Sequence, residues 1–492
     1  MNILWICSEA APYAKTGGLA DVSASLPAAL AGLGHNVSVV MPYYPQVMGD
    51  LCSDLSTCYE ILDVPFFEWG ERCAVRQDKK SDNLSYYFIE HQRYFDRPFL
   101  YDYYGKEYED NAERFIFFSR AAMEAAVALK LDPDVLHTND WHTGLCNIYL
   151  KSSIYCNSAT FAKTKSVLTI HNIGYQGVFP KEVLYLSGLS WDNYNYTCLE
   201  YHDQVNFLKG GMMSADMVTT VSPTYADEIL SSDFAFSLED SLRHLKGENR
   251  LKGILNGIDT NEWSPDIDPL IPANFAIGDM SGKKKCRRAL QKEFNLKQKP
   301  KVPILGLVSR FAYQKGIDVL SYVIEGLLIN EDAQFVILGS GDDELESFFS
   351  SLAARFPGKI GVYIGYNNKL AHLIEAGSDM FMMPSRYEPC GLNQMYSMQY
   401  GTVPIVRSTG GLADTVINYS ETNIAESTGF TFDLLNHDAL LNTIKWALSV
   451  YHGKPANFAK LIENGMKQDF SWKHTASEYE EVYEELARKT LT

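Results

Sequence analysis

The sequence has few basic residues for its length and lacks a closely spaced cysteine pair. Its 43 Lys and Arg residues are outnumbered by 61 Asp and Glu residues, so the net charge is −18 at pH 7. Nucleic acids and anionic membranes are polyanions, and we therefore expect neither as a partner. The nine cysteines are an odd number without a C-x-x-C motif. This pattern is typical of a reducing compartment and not of a disulfide framework or a structural zinc site.

Long apolar runs are also missing. The longest, such as residues 302–308 and 380–383, are the size of a strand, whereas a membrane-spanning helix needs about 20 apolar residues. The apolar segment 1–7 has no basic residue before it and is followed by Glu9, so we interpret it as a first strand and not as a secretory signal. These features predict a cytoplasmic protein, or a plastid stromal one if the chain is a mature plastid protein.

The length and the alternation of elements predict two α/β domains. A single core stops growing near about 250–300 residues, and the chain has 492. Short β-branched runs alternate with longer amphipathic stretches, as in parallel sheets built from βαβ units. The candidate strands are residues 3–7, 37–41, 135–138, 166–170 and 218–221 in the first half, and 304–308, 334–338, 362–364, 380–383 and 403–406 in the second.

The domain boundary is predicted at the segment 263–271, which is rich in proline and aspartate. This gives a first domain over residues 1–262 and a second over 263–471. Residues 472–492 space their apolar side chains helically, and this terminal helix could pack on either domain, the first being one candidate.

One hexapeptide, Thr-Gly-Gly-Leu-Ala-Asp, occurs at residues 16–21 and again at 409–414. Each copy follows a predicted strand and opens a helical pattern. Open α/β sheets bind ligands at that edge, and the N–H groups at the start of a helix favour anions. A single glycine turn is usually only a tight connection, but a matched pair favours a ligand site shared by both halves.

Cations lie beside these predicted strand ends. Lys15 precedes the first glycine turn, and Arg310 and Lys315 follow the strand 304–308. We interpret them as a phosphate clamp, the alternatives being solvated lysines and a surface ion pair. Glu388 lies before a predicted helix, where a carboxylate either accepts hydrogen bonds from ligand hydroxyls or only caps the helix.

The histidines favour structure over metal binding. His137, Asp140 and His142 are close in sequence, but their spacing matches no common zinc pattern. We expect Asp140 to cap the helix that follows the strand 135–138. His171 follows the next predicted strand; a lone histidine is usually a satisfied polar residue, but this one belongs to the same sheet edge as the first glycine turn.

Together, six segments resemble bacterial glycogen synthases and plant starch synthases: residues 15–22, 137–145, 171–177, 309–316, 388–392 and 408–416. The similarity runs in order over nearly the whole chain. It implies an α/β fold of two Rossmann-like, doubly wound domains facing across a cleft, the GT-B glycosyltransferase architecture. It also implies retaining transfer of glucose from a nucleotide sugar to the non-reducing 4-hydroxyl of an α-1,4-glucan (glycogen, starch or a malto-oligosaccharide), with no cofactor and no metal.

The resemblance implies roles for individual residues. Those similar to the family's diphosphate contacts are Lys15, Gly18, Arg310 and Lys315. Those similar to residues around the donor glucose are Asp21, Asp140, His171, Asn256 and Glu388, and Tyr366 resembles the residue that stacks on the base. Cys390, Gly391, Leu392 and Asn393 are predicted to bind substrate, the last two beside helix N–H groups. The predicted catalytic set is Lys15, His171, Arg310, Lys315 and Glu388.

Two positions depart from related sequences. Ser237 stands where relatives often have glycine, and Tyr396 stands where many related transferases have a second glutamate, although synthases of this family commonly lack it. A nucleotide diphosphate is a good leaving group, so charge neutralisation replaces the general acid that a glycosidase needs. Retention requires attack from the face that the phosphate leaves or a covalent intermediate, and the sequence leaves both open.

Two other functions also stay open. One is another nucleotide-sugar transferase or an epimerase of the same architecture, which a labelled donor and a glucan primer would distinguish. The other is a catalytically silent polyglucan-binding protein, although such a protein has no need of a diphosphate clamp. The sequence does not distinguish adenine from uracil as the donor base, because Tyr366 can stack on either ring. Family analogy favours ADP-glucose over UDP-glucose.

Overall fold

The structure is a computed structural model that describes residues 1–67, 70–103 and 105–489. It divides into two compact units, one made of Met1–Gly257 with Trp472–Thr492 and the other of Ile258–Ser471. The boundary predicted after residue 262 therefore falls just inside the second unit. The end of the predicted terminal segment, residues 490–492, lies outside the described residues.

The first unit is built around one large sheet. Its strands are β1 (Asn2–Ile6), β2 (Asn36–Pro42), β3 (Ser56–Val64), β4 (Glu71–Lys79), β5 (Leu84–Glu90), β6 (Asp102–Tyr103), β7 (Lys106–Glu107), β8 (Val135–Asn139), β9 (Lys165–Ile170), β10 (Val178–Pro180), β11 (Glu200–Tyr201), β12 (Gln204–Asn206), β13 (Met217–Thr220) and β14 (Leu251–Gly253). Nine of them form a sheet in the order β14-β13-β9-β8-β1-β2-β5-β4-β3. Pairing is parallel from β14 to β5, whereas β4 pairs antiparallel with both β5 and β3.

Helices flank this sheet and explain its apolar strands. They are α1 (Gly18–Gly32), α2 (Pro45–Met48), α3 (Gln92–Phe95), α4 (Asn111–Ala128), α5 (Asp140–Lys151), α6 (Leu184–Ser187), α7 (Phe207–Ser214), α8 (Pro223–Glu228) and α9 (Glu239–Gly247). A parallel strand is covered on both faces and so consists of consecutive apolar residues. In β1, the residues from Ile3 to Ile6 are all buried.

The second unit has the strand order of a Rossmann fold. Its strands are β15 (Ile304–Val308), β16 (Gln334–Gly339), β17 (Ile360–Ile364), β18 (Met380–Met383), β19 (Val403–Arg407) and β20 (Phe430–Phe432). They form a parallel sheet in the order β17-β16-β15-β18-β19-β20. This is the doubly wound order 3-2-1-4-5-6, in which the chain reverses direction across the sheet between the first and fourth strands.

The helices of the second unit are α10 (Ser281–Glu293), α11 (Ile317–Asn330), α12 (Asp343–Arg355), α13 (Asn368–Gly377), α14 (Asn393–Gln399), α15 (Gly410–Thr415), α16 (His437–Gly453) and α17 (Pro455–Met466). The chain then returns to the first unit as α18 (Trp472–Arg488), which packs against α1 and β9. The Tyr483 hydroxyl of α18 lies 2.6 Å from Nδ1 of His137 in β8.

The α/β class and the two doubly wound units are confirmed. All ten predicted strands are present, each within two residues of its predicted bounds. Five strands of the two large sheets, β3, β4, β5, β14 and β20, were not predicted, nor were the short strands β6, β7, β10, β11 and β12. Among the described helices, none has the length and apolar content needed to cross a membrane. All nine cysteines are free thiols.

Candidate functional site

The second unit has a pocket where its chain reverses across the sheet, at the carboxyl ends of the central strands. The loops after β15 and β18 form its walls, and this is the place where open α/β sheets bind ligands. The pocket has a volume of about 250 Å³. Seven residues predicted from the sequence line it: Arg310, Lys315, Tyr366, Glu388, Gly391, Leu392 and Asn393.

Lys315 and Glu388 form an ion pair in this pocket. Lys315 Nζ donates to both carboxylate oxygens, at 2.8 and 2.7 Å. The Glu388 side chain is only 6% exposed, and the hydroxyl of buried Ser385 donates to the same carboxylate at 2.9 Å. A buried carboxylate is stable only when paired and hydrogen-bonded. Glu388 therefore faces the pocket in one orientation, as an acceptor of hydrogen bonds.

Arg310 differs from Lys315 because it has no counter-ion. It is exposed, it lines the pocket, and no carboxylate of the described residues pairs with it. A guanidinium offers five N–H donors that match the oxygens of a phosphate. Arg310 is therefore available to bind an anion without first losing a partner within its own unit.

The second glycine turn packs closely against the backbone of the Glu388 loop. Gly411 donates its N–H to the Glu388 carbonyl at 3.1 Å. A Cβ on Gly410 would lie 1.9 Å from that carbonyl oxygen, and one on Gly411 would lie 2.1 Å from the carbonyl oxygen of Cys390. Glycine is needed at both positions because another backbone segment approaches closely. The N–H of Gly411 is therefore bonded within the protein, and the anion-binding role expected for this turn stays a prediction.

The remaining predicted residues of this unit divide into lining and supporting residues. Tyr366 is 72% exposed at the pocket, so its ring is open to stacking. Asn393 Nδ2 donates to the Val308 carbonyl at 3.1 Å and ties the start of α14 to the end of β15. Cys390 is buried and does not line the pocket; its carbonyl accepts from Gln394 Nε2 at 3.2 Å.

In the first unit, the predicted residues lie on the carboxyl edge of the large sheet. Lys15 and Gly18 belong to the turn between β1 and α1, and Lys15 Nζ lies 2.6 Å from the carboxylate of Asp21 in α1. The N–H groups of Gly18 and Leu19 have no acceptor among the described residues. The turn therefore offers one cation and two amides.

A second group on this edge joins the ends of β8 and β9. The Asp140 carboxylate accepts the N–H of His171 at 2.7 Å, and His171 Nε2 lies 2.9 Å from Asn139 Oδ1. Burial raises the pKa of Asp140 to about 7, although hydrogen bonds from the N–H groups of His171 and Asn172 oppose the shift. Burial also lowers the pKa of His171 to about 3, so its imidazole is neutral at physiological pH.

The expectation that Asp140 caps α5 is wrong. The N-cap of α5 is Asn139, and no side chain makes a cap hydrogen bond there. Asp140 has a φ of 54°, in the left-handed region, and its carboxylate bonds instead to the backbone after β9. Unusual backbone of this kind is typical of functional sites.

His137 and His142 point to different surroundings. His137 Nε2 lies 2.7 Å from Thr169 Oγ1 in the buried sheet, whereas His142 stacks on Trp141 with ring centroids 4.0 Å apart. Asn256 follows β14 on the same carboxyl edge and is buried, and its Oδ1 has no hydrogen-bond partner among the described residues.

The two positions that depart from related sequences have structural explanations. Ser237 has a φ of 67°, a conformation that favours glycine, so the glycine common in relatives suits this backbone. Tyr396 is buried, and its ring stacks on Trp263 at 3.9 Å with an interplanar angle of 9°. An aromatic side chain thus fills the place where other transferases have a second carboxylate.

Three polar residues that support these groups were not predicted from the sequence. They are Glu9 after β1, Asn139 at the end of β8 and Ser385 beside Glu388. Each is a polar residue at the end of an apolar strand or within three residues after it, and this was the one available signal.

Comparisons with known proteins agree with this geometry. A family model described as the starch synthase catalytic domain matches residues 2–244, and one for glycosyl transferases group 1 matches residues 289–468. The chain is 45% identical over 485 residues to a glycogen synthase of Koribacter versatilis, covering 98% of both chains. It is 44% identical over 492 residues to a glycogen synthase of Anaeromyxobacter dehalogenans, covering 99% of both.

Solved structures give the same result. The catalytic domain of Starch Synthase IV from Arabidopsis thaliana, bound to ADP and acarbose, matches with a TM-score of 0.91 and 32% identity over 99% of both chains. The sucrose-phosphate synthase of Thermosynechococcus elongatus, at 19% identity and a TM-score of 0.60, shares the fold. Because its relatives match over almost their whole length, the chain belongs to the glycogen and starch synthase family of glucosyltransferases.

Proposed function

We propose that the chain transfers glucose, with retention of the α configuration, from ADP-glucose to the non-reducing 4-hydroxyl of an α-1,4-glucan. The observation that carries this proposal is the pocket of the second unit. Arg310, which has no counter-ion among the described residues, and the Lys315–Glu388 pair lie there at one sheet edge. The choice of adenine rests on similarity to a starch synthase whose structure holds ADP. The choice of a glucan acceptor rests on the glycogen synthases that match the full chain.

Stabilisation of the leaving group is the main chemistry that this pocket can perform. Negative charge grows on the β-phosphate as the anomeric C–O bond stretches, and donors aimed at that charge lower the barrier. We assign this role to Arg310 and Lys315. Arg310 can bind the diphosphate at once, whereas Lys315 must share its ammonium between the phosphate and Glu388. In the first unit, we assign Lys15 and Gly18 to diphosphate binding.

The groups around the sugar are proposed to orient it. Glu388 accepts hydrogen bonds from glucose hydroxyls, and Asp140 and His171 contact the ring. Neutral His171 acts as a hydrogen-bonding group and not as a proton donor, because its pKa is about 3. Asp21 and Asn256 are further contacts of the sugar, and Tyr366 stacks on the base.

Attack from the departing face is the favoured route to retention. Both oxygens of Glu388 accept hydrogen bonds from Lys315, which makes this carboxylate a weak nucleophile. The departing phosphate can take the proton of the acceptor hydroxyl, so no second carboxylate is required. The buried aromatic ring of Tyr396 fits this interpretation.

The test compares ADP-glucose and UDP-glucose, each labelled in the glucose, on the same glycogen primer. We expect labelled polymer, faster turnover with ADP-glucose, and label that β-amylase releases as maltose from the non-reducing ends. The Arg310→Ala variant should lose about a hundredfold in rate. The matched control is Arg288→Ala, because Arg288 is also exposed but does not line the pocket.

Three results would overturn the proposal. Faster turnover with UDP-glucose contradicts the donor, label that stays in the low-molecular-weight fraction contradicts the polymer acceptor, and equal rates for the Arg310 and Arg288 variants contradict the pocket. Glucan binding without turnover of either donor would establish a silent binding protein instead.

A further inference from the structure

A buried carboxylate accepts hydrogen bonds from the backbone of the first glycine turn. Glu9 follows β1, is 4% exposed, and accepts the N–H groups of Thr16 at 2.5 Å and of Gly17 at 3.3 Å. The Thr16 hydroxyl donates to it at 2.9 Å, and the Tyr101 hydroxyl donates at 3.0 Å. Four donors thus converge on one carboxylate, and three of them belong to the turn.

The second copy of the hexapeptide is bonded differently at the position that corresponds to Gly18. There the N–H of Gly411 donates to the backbone carbonyl of Glu388, whereas the N–H of Gly18 has no acceptor among the described residues. In the first copy, the two N–H groups that precede this position are bound by a buried carboxylate. Burying a carboxylate has a large desolvation cost, so its use in the first unit calls for a reason beyond closing the turn.

The shape of the first turn points to a ligand as that reason. Gly17 has extended backbone with φ −153°, and a Cβ added to it would meet nothing within 4 Å. Neither its conformation nor a neighbouring atom requires glycine, in contrast to Gly410 and Gly411. The N–H groups of Thr16 and Gly17 donate to Glu9. The N–H groups of Gly18 and Leu19 have no acceptor among the described residues.

We propose that Glu9 is a positioning residue for the transfer reaction: by binding Thr16 and Gly17, it sets the direction of the Lys15 ammonium and of the Gly18 amide. This inference rests on the diphosphate role proposed above for Lys15 and Gly18. Glu9 does not touch the substrate. It acts through the turn, because Lys15 is followed directly by Thr16, whose N–H makes the shortest hydrogen bond to the Glu9 carboxylate.

Three variants separate positioning from a purely structural role. Glu9→Ala removes every contact, and a displacement of about 1 Å in a positioning group can cost about a hundredfold in rate. Glu9→Gln keeps one oxygen for the two N–H groups, while its amide can donate to the Thr16 or Tyr101 hydroxyl. Tyr101→Phe is the matched control, since it removes one hydrogen bond to the carboxylate and leaves the three from the turn intact.

We expect Glu9→Ala to lower kcat/KM for ADP-glucose about a hundredfold and to weaken ADP binding, with the KM for glycogen unchanged. Glu9→Gln should stay within about tenfold of the unmodified protein, as for the loss of one hydrogen bond. Tyr101→Phe should match the unmodified protein in turnover. Thermal unfolding of each variant checks that the assay is run on folded protein, and Glu9→Gln serves if Glu9→Ala does not fold.

A double-mutant cycle with Lys15→Ala distinguishes an effect of Glu9 through the Lys15 turn from an independent effect. If Glu9 acts through the Lys15 turn, its substitution has a smaller effect once Lys15 is gone, because only the Gly18 amide is left to displace, so the two losses are less than additive. Fully additive losses, or a Glu9→Gln variant whose KM for glycogen rises as much as its KM for ADP-glucose, overturn the inference while leaving the proposed function intact. Normal turnover of Lys15→Ala overturns the diphosphate role of Lys15 itself, and the inference with it.

Discussion

Replacing Lys315 with alanine should damage both stability and catalysis, and the two losses can be separated. The ammonium donates to both oxygens of Glu388 at 2.8 and 2.7 Å, and this carboxylate is 6% exposed. Removing one partner of a buried pair leaves an uncompensated charge and costs about 3 kcal/mol of folding free energy. Removing a donor to the departing phosphate costs about 3 kcal/mol of transition-state stabilisation, about a hundredfold in kcat.

The double variant Lys315→Ala/Glu388→Gln separates these effects. A neutral amide in place of the carboxylate removes the unpaired charge, so urea unfolding should show most of the lost stability recovered. The rate of glucose incorporation should stay low. Arg287→Ala is the matched control, because Arg287 pairs with Asp379 in the same unit but does not line the pocket; it should lose stability and keep kcat. Normal kcat in folded Lys315→Ala protein, or kcat that recovers together with stability in the double variant, would show that Lys315 does not stabilise the departing phosphate.

Further predictions concern the glycines, the base and one buried acid. Gly17→Ala should leave the melting temperature unchanged, because its Cβ meets only open space. It should raise the donor KM, because we assign that space to the ligand. A large drop in melting temperature would contradict this. Gly411→Ala should lose about 2 kcal/mol or more in urea unfolding, since its Cβ would lie 2.1 Å from the Cys390 carbonyl. Tyr366→Ala should raise the KM for ADP-glucose about tenfold through lost stacking, whereas Tyr366→Phe should not. The pKa of Asp140 rises on folding from its ordinary 3.8 to about 7, so its contribution to stability is present in acid and is lost as pH rises from about 4 to about 7. Relative to the unmodified protein, Asp140→Asn should therefore be more stable in urea unfolding at pH 8 than at pH 5. A difference in unfolding free energy between the two proteins that is the same at both pH values would contradict this.

All ten strands predicted from the sequence pair in parallel, whereas β3, β4 and β5 at the antiparallel edge and the three-residue parallel strands β14 and β20 were not predicted. Strands such as β1 and β15 are buried on both faces and followed by helices, so each appears as an apolar run at regular spacing. β3, β4 and β5 follow one another without a long helix between them. In β3 and β4, exposed and buried residues mix, and a register shift interrupts their pairing, so neither an apolar run nor a clean alternation marks them.

The pocket residues were predictable for a different reason. Arg310, Lys315 and Glu388 follow strand ends, and parallel strands bring their carboxyl ends to one edge. The contacts that orient them were not accessible in this way. The bond between Glu9 and Tyr101 joins residues 92 positions apart, and the left-handed backbone of Asp140 depends on the neighbouring strand; neither follows from local sequence pattern.

The most direct test of the account is the affinity of ADP relative to AMP, measured by calorimetry on the unmodified protein and on Arg310→Ala. A charge-assisted contact to the β-phosphate should make ADP bind at least about tenfold more tightly than AMP. We expect this ratio to fall towards one in the variant while AMP affinity changes little. An ADP-to-AMP ratio that is the same in both proteins would contradict the claim that Arg310 recognises the diphosphate.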